Sequence, residues 1–271
     1  MLSLDNQHIT DLYVMVDDLL PQRDHSRGGR PPAVSTSEIV TLLIWNTLTV
    51  RQKLLKDIFH WVKRYHHADV PTISTYNTFL DECHRALPAL VSVLSQLLHT
   101  DARLRFMDST MVPVCKLIRA DRHKTAVSIA QFGKNWQGWH YGFKLHASVN
   151  SHGQLCGLAF TPANVHDAQM MPYILNAQTD IAVGDTSYTA KVMQRKIWEQ
   201  YGCGIISPPW PTQHKLMTWW QGQLLKMRPK IETVFDYLKE HLHLVSSFPR
   251  SVQGYLLHYV RIVLGYQVLV G

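Results

Sequence analysis

The chain has 271 residues, 46% hydrophobic and 10% aromatic, enough for one substantial core and too apolar for a disordered or collagen-like chain. Its 27 Lys and Arg against 20 Asp and Glu give a formal charge of +7, which favours polyanionic partners. The excess is uneven: residues 1–100 hold 9 basic and 10 acidic side chains, whereas residues 101–271 hold 18 and 10.

Cys83, Cys115, Cys156 and Cys203 stand too far apart for a zinc knuckle or a redox dithiol, so reduced, buried thiols are expected. The first residues lack a basic segment followed by an apolar one, and no apolar run approaches the ~18 residues of a membrane span. A soluble, cytoplasmic protein without a membrane partner is expected.

In chain order, apolar residues at helical spacing predict a first helix from Ile9 to Leu20, stopped by Pro21. Gln22 to Ala33 reads as a loop. Ser35 and Glu38 form a capping-box pattern ahead of a helix through Ile39 to Trp45. Further helices are predicted over 54–65, 74–84 and 88–99, so residues 1–100 read as a small all-α N-terminal domain. After Thr100 the texture changes to β-branched and aromatic runs. Strands are expected at Leu104 to Met107, Tyr141 to Val149 and Leu155 to Phe160, with a turn at Asn150 to Gly153. A helix at Ala168 to Asn176, a strand at Ile181 to Gly184, a helix at Lys191 to Tyr201, a strand at Gly204 to Ser207 and a long helix from Pro229 to His241 follow. Residues 101–271 therefore predict an α/β domain, a mixed sheet flanked by helices in the layout of ribonuclease H-like domains.

Three carboxylates of this second part stand where a structural role explains them incompletely. Asp108 follows the strand Leu104 to Met107, and the residues after it do not start a helix. Asp185 ends the strand Ile181 to Gly184, although it could also hydrogen-bond the start of the next helix. Glu232 lies just inside a helix whose first turn holds Pro229. An acidic residue there is stabilising in any case, yet Ile231, Val234, Phe235 and Leu238 make one apolar face and leave Glu232 and Lys239 off it. Lys239, seven residues on, returns to within about 20° of Glu232 on an α-helix. Asp167 reads as the N-cap of the helix after it. The 16 histidines make no helical pair with a nearby carboxylate, so His123, His140 and His146 read as solvated or core residues.

Taken together these segments resemble bacterial insertion-sequence transposases of the Asp-Asp-Glu type, nearest the insertion-sequence family numbered nine hundred and eighty-two. The resemblance is carried by Met107-Asp108-Ser109-Thr110 with Pro113 to Lys116, by Arg122-His123-Lys124, and by Tyr141 to His146. It continues through Thr161, Pro162, Asn164, Val165 and Asp167, then Gly184, Asp185 and Tyr188, then Ile231 to Phe235 with Leu238 and Lys239. It implies that Asp108, Asp185 and Glu232 form the catalytic, metal-binding triad of a ribonuclease H-like domain holding two Mg²⁺ ions, with Mn²⁺ able to substitute. Arg228, Glu232 and Lys239 keep the spacing of a Tyr, Arg, Glu, Lys signature, with Leu225 in place of the Tyr. Arg228 precedes Pro229, which disfavours helical geometry there. Between Pro208 and Gly222 stand Trp210, Trp219 and Trp220 with Lys215 as the fixed positive charge.

Converging carboxylates repel one another, and hard divalent ions relieve that repulsion. The basic residues between Arg103 and Lys144 predict a phosphate-binding surface. With Lys239 and Arg228, the DNA contacts expected there are Arg119, Arg122, Lys124, Lys134 and Lys144, and Trp136, Trp139 and Tyr141 are placed to stack on unpaired bases. The implied partners are double-stranded DNA, as terminal inverted repeats and target, and a second copy of the chain assembled on DNA. The competing readings are a metal-dependent nuclease that cuts without joining, and a non-catalytic DNA-binding protein using Asn77 to His84 as a recognition helix.

Overall fold

The computed structural model describes residues 6–21, 34–73, 75–210 and 216–271. The loop expected at 22–33 and residue 74 lie outside these. Five helices come first: α1 (Asn6–Leu19), α2 (Thr36–Thr49), α3 (Leu55–Tyr65), α4 (Tyr76–Arg85) and α5 (Leu87–Leu97). The Ser35 side chain and Glu38 close the capping box that opens α2, and α2 is buried from Ile39 through Thr47. The segment Asn77 to His84 falls within α4, which buries Phe79 and Cys83.

Six strands form one mixed sheet: β1 (Leu104–Pro113), β2 (Gln131–Asn135), β3 (Gly138–Val149), β4 (Leu155–Pro162), β5 (Ile181–Val183) and β6 (Gly204–Ile206). The long β3 runs antiparallel to β1 on one side. On its other side it pairs with β2 along its first residues and with β4 along the rest. β1, β5 and β6 are parallel, so the order is β2 or β4, then β3, β1, β5, β6. Helices α6 (Met171–Ile174), α7 (Lys191–Tyr201), α8 (Trp219–Met227), α9 (Pro229–Asp236) and α10 (Val252–Val270) complete the chain. This is a curled mixed sheet flanked by helices and preceded by a helical region, the ribonuclease H-like layout expected.

Alternation along the strands assigns the faces. Phe106, Leu145 and Ala147 join a core with Ile231 and Val234 of α9, Tyr259 of α10, and Leu42 and Leu90 of the N-terminal helices. Met107 turns the other way, onto Met171, Ile174 and Ile197. α10 packs against both α2 and α5. It tolerates Arg261 in this core because the guanidinium reaches the Thr47 hydroxyl and the Gln52 carbonyl oxygen. No helix among the described residues is long and apolar enough to cross a membrane.

Several expectations need correction. β1 does not end at Met107: paired with β3 as far as Pro113↔Gly142, it carries Asp108 in its interior. The helix expected at Ala168 to Asn176 is a 3-10 turn, Asp167–Met170, running into the single turn of α6. The helix expected from Pro229 to His241 is α-helical only to Asp236, and Tyr237–His241 is a π-helical turn. Cys115 is half-exposed, not buried.

Candidate active site

β1 and β5 run parallel only through Phe106↔Val183. Two residues further along each strand stand Asp108 and Asp185, side by side where the pairing stops. Gly184 permits this bend, since a Cβ there would sit 2.5 Å from the Tyr188 ring. The Asp185 carboxylate accepts hydrogen bonds from the Ser187 amide and hydroxyl and so caps the 3-10 turn Thr186–Tyr188.

α9 lies against β1 and brings Glu232 to the same end. Arg228 joins the two: one guanidinium nitrogen donates to Asp108 Oδ2 at 3.2 Å and the other to Glu232 Oε1. Despite preceding Pro229, Arg228 is helical, ending α8 and starting α9. Glu232 is half-exposed, whereas Asp108 is only 17% exposed. Burial pushes the Asp108 carboxyl up to about 7, with the neighbouring Asp185 and Asp167 adding to the rise and the Ser109 amide and Arg228 opposing it. One arginine therefore does not repay the desolvation of this carboxylate. Lys239, on the π-helical turn, is close enough to Asp108 and His140 to feel their charge; burial is the main cause of its lowered pKa.

Asp167 is not a helix cap; His166 holds that place and accepts from the Ala168 amide. Asp167 Oδ1 instead accepts from Ser109 Oγ at 2.7 Å and Lys144 Nζ at 3.0 Å, with His146 Nδ1 3.5 Å away. Lys144 also donates to the Val165 carbonyl oxygen, and His146 Nε2 meets Thr161 Oγ1 at 2.9 Å. Ser109 and Asp108 are consecutive on β1, so this second cluster lies on the opposite side of the sheet from Arg228. Burial lowers the His146 pKa to about 4, with the Lys144 charge adding and Asp167 opposing. The Tyr188 hydroxyl is buried near Asp167, Asp108 and Asp185 without a hydrogen-bond partner among the described residues.

The basic residues separate into two groups. Lys144, expected on the DNA surface, is buried in its pair with Asp167. Arg105 is buried as well, donating to the Ala102, Cys156, Ile174 and Thr100 carbonyls and to Asn176. Tyr141 is buried and has no face left for a base, whereas Trp136 and Trp139 are exposed. Lys116, Arg119, Arg122, Lys124 and Lys134 are exposed, and Lys134 stands over the Trp139 ring at 5.8 Å. Two adjoining cavities of about 470 and 590 Å³ share Val114, Cys115, Ser247 and Phe248. Lys53 and Lys116 line the first, Arg119, Arg122, Lys124 and Arg250 the second, and no carboxylate among the described residues lines either. Lys53 and Arg250 carry no sequence signal, since each becomes part of this groove only through the fold.

The order of the sheet, with acidic residues where β1 and β5 part and a glutamate on the helix across them, is that of a ribonuclease H-like nucleic-acid-processing domain. Residues 99–252 match the family model for the Transposase DDE domain. That match covers more than half of the chain, which belongs to this family. No curated protein matches it.

The donor set of Asp108, Asp185 and Glu232 is all hard oxygen, which fits Mg²⁺ or Mn²⁺ in kind. As placed, no three His, Cys, Asp or Glu side chains among the described residues gather closely enough to hold a metal ion. A cation already stands between Asp108 and Glu232, the guanidinium of Arg228.

Proposed function

We propose that the chain cuts DNA at the ends of an insertion element and joins the freed ends to target DNA, as a transposase nearest the insertion-sequence family numbered nine hundred and eighty-two. The observation that supports this reading is that Asp108 and Asp185 each stand two residues beyond the last β1–β5 pair, with Arg228 tying Glu232 of α9 to Asp108. These three carboxylates would hold two Mg²⁺ ions, or Mn²⁺ in their place. Bound there, the metal supplies activation of the attacking oxygen and charge stabilisation of the leaving 3′-oxygen in an in-line displacement.

The chain's own residues set the geometry. β1 carries Asp108, Asp185 follows two residues after β5, and the Ser187 hydrogen bonds hold Oδ1 of Asp185 and so orient its carboxylate. Lys239 stands beside Asp108 as a point charge for a phosphate near the cut. The groove from Lys53 to Arg250 begins about 17 Å further along β1 and would carry the duplex backbone, with Arg119, Arg122, Lys124 and Lys134 contacting phosphates. Trp136 and Trp139 are placed to stack on bases unpaired at the cut end. The N-terminal helical region, residues 1–100, shares the groove through Lys53, which supports a role for it in holding the element ends. The active form would be a homodimer assembled on DNA, in the cytoplasm where the nucleoid lies.

The test is to incubate the full chain with Mg²⁺, a duplex ending in the element's inverted repeat and a supercoiled plasmid, and to separate the products. Nicked ends and covalent joint molecules are expected, both lost in Asp185→Asn. Cleavage without joint molecules would establish the nuclease alone, and binding without cleavage the non-catalytic reading.

A further inference from the structure

The site is more than a cluster of carboxylates. Arg228 spans Asp108 and Glu232, and its side chain is 25% exposed. An arginine cannot release its charge by deprotonation, so a divalent ion sharing those same carboxylate oxygens requires the guanidinium to leave. The side chain has somewhere to go. Arg228 sits at the junction of α8 and α9 with its side chain partly open to solvent, so the guanidinium can swing out by side-chain rotation without moving either helix. A planar fork of N–H donors suits a phosphate as well as a carboxylate, and the partly exposed guanidinium can meet one from solvent.

We infer that Arg228 is an internal counter-ion that holds Asp108 and Glu232 until a DNA phosphate draws it away, so that metal binds well only to the DNA-bound protein. This rests on reading Asp108, Asp185 and Glu232 as metal-holding. It assigns Arg228 a positioning role, exchanging two carboxylate partners for a phosphate with no bond made or broken. Linkage makes the effect reciprocal: the factor by which DNA tightens metal binding is the factor by which metal tightens DNA binding. A chain so built would keep its hydrolytic site unloaded while free in solution.

The experiment is Mn²⁺ titration of the full chain, followed by the electron paramagnetic resonance signal of free Mn²⁺, with and without a short DNA duplex and with the duplex-only titration subtracted. For the unaltered protein, the duplex should tighten Mn²⁺ binding by about tenfold or more. Arg228→Gln should bind Mn²⁺ about tenfold tighter without DNA, and the duplex should then add little. Arg228→Gln binding no tighter than the unaltered protein overturns the inference. If that variant fails to melt cooperatively, Arg228→Met carries the test: an uncharged side chain of similar reach holds neither carboxylate, so its affinity should exceed that of the unaltered protein, and equality overturns the inference. Glu232→Gln separates the two levels. If it leaves Mn²⁺ binding to the DNA-bound chain unchanged, the metal reading fails and the counter-ion role with it. If it weakens that binding while Arg228→Gln has no effect, only the counter-ion role fails.

Discussion

Two acidic clusters stand back to back across β1, and they resolve the same problem in opposite ways. Asp108 and Asp167 have nearly the same exposure, 17% and 18%. Asp167 is surrounded by donors of its own, the Ser109 hydroxyl and the Lys144 ammonium, with His146 alongside. Asp108 accepts from the Ser109 amide at Oδ1 and at Oδ2 from the one arginine it shares with Glu232, it lies beside another carboxylate, and burial pushes its pKa up to about 7. A buried carboxylate paired with its own lysine is costly to unpair, whereas one whose pKa is driven up by burial and like charge is typical of a site where chemistry needs it. The difference teaches that the partners a carboxylate already has, more than its depth, separate a structural acid from one free to take a new cation.

Asp108→Asn should break the comparison on the chemical side. Loss of cleavage on the order of a thousandfold is expected, about 4 kcal/mol of barrier, with a melting temperature no lower than that of the unaltered chain. A gel assay and a thermal melt check both. On the structural side, Asp167→Asn leaves Lys144 charged, buried and unpaired, and breaking such a pair costs about 3 kcal/mol or more. Denaturant unfolding should show that loss, and Lys144→Met added to it should recover part.

The sequence is informative where a strand or helix end carries a charged residue and the neighbouring pattern is clean. Asp185 and Glu232 stand out for that reason, as does the capping box of Ser35 and Glu38, and Asp108 stands out as the carboxylate carried inside β1. It is silent where tertiary contacts decide. α10 is buried nearly all round, from Tyr255 through Gln267, so it has no polar face to give a helical period. β2 is a short, polar strand that exists because β3 offers it an edge. Asp167 precedes a helical turn and so has a capping pattern, but Ser109, Lys144 and His146 reach it from β1 and β3, 58, 23 and 21 residues earlier in the chain. Lys144 is one more cation in a basic run until β3 turns it inward.

Acid should sharpen the contrast further. The folded-state pKa of His146 lies below its ordinary value of 6.5, at about 4. Its contribution to stability is therefore fully present above pH 6.5 and is lost as pH falls through that window toward 4. His146→Gln should flatten the dependence of melting temperature on pH there; an unchanged slope would show that other groups set it. The smallest effect is expected at Lys239. Lys239→Ala should lower the slope of log affinity for DNA against log salt by about one unit, and an unchanged slope would remove it from the phosphate contacts.

The most direct test of the division between the two clusters is cleavage by the double variant Asp167→Asn with Lys144→Met, assayed beside Asp108→Asn at a temperature where both are folded. With both charges of the structural pair removed together, the double variant should cleave inverted-repeat DNA within about tenfold of the unaltered chain while Asp108→Asn is inactive. A folded double variant as inactive as Asp108→Asn would place Asp167 in the chemistry and contradict the account.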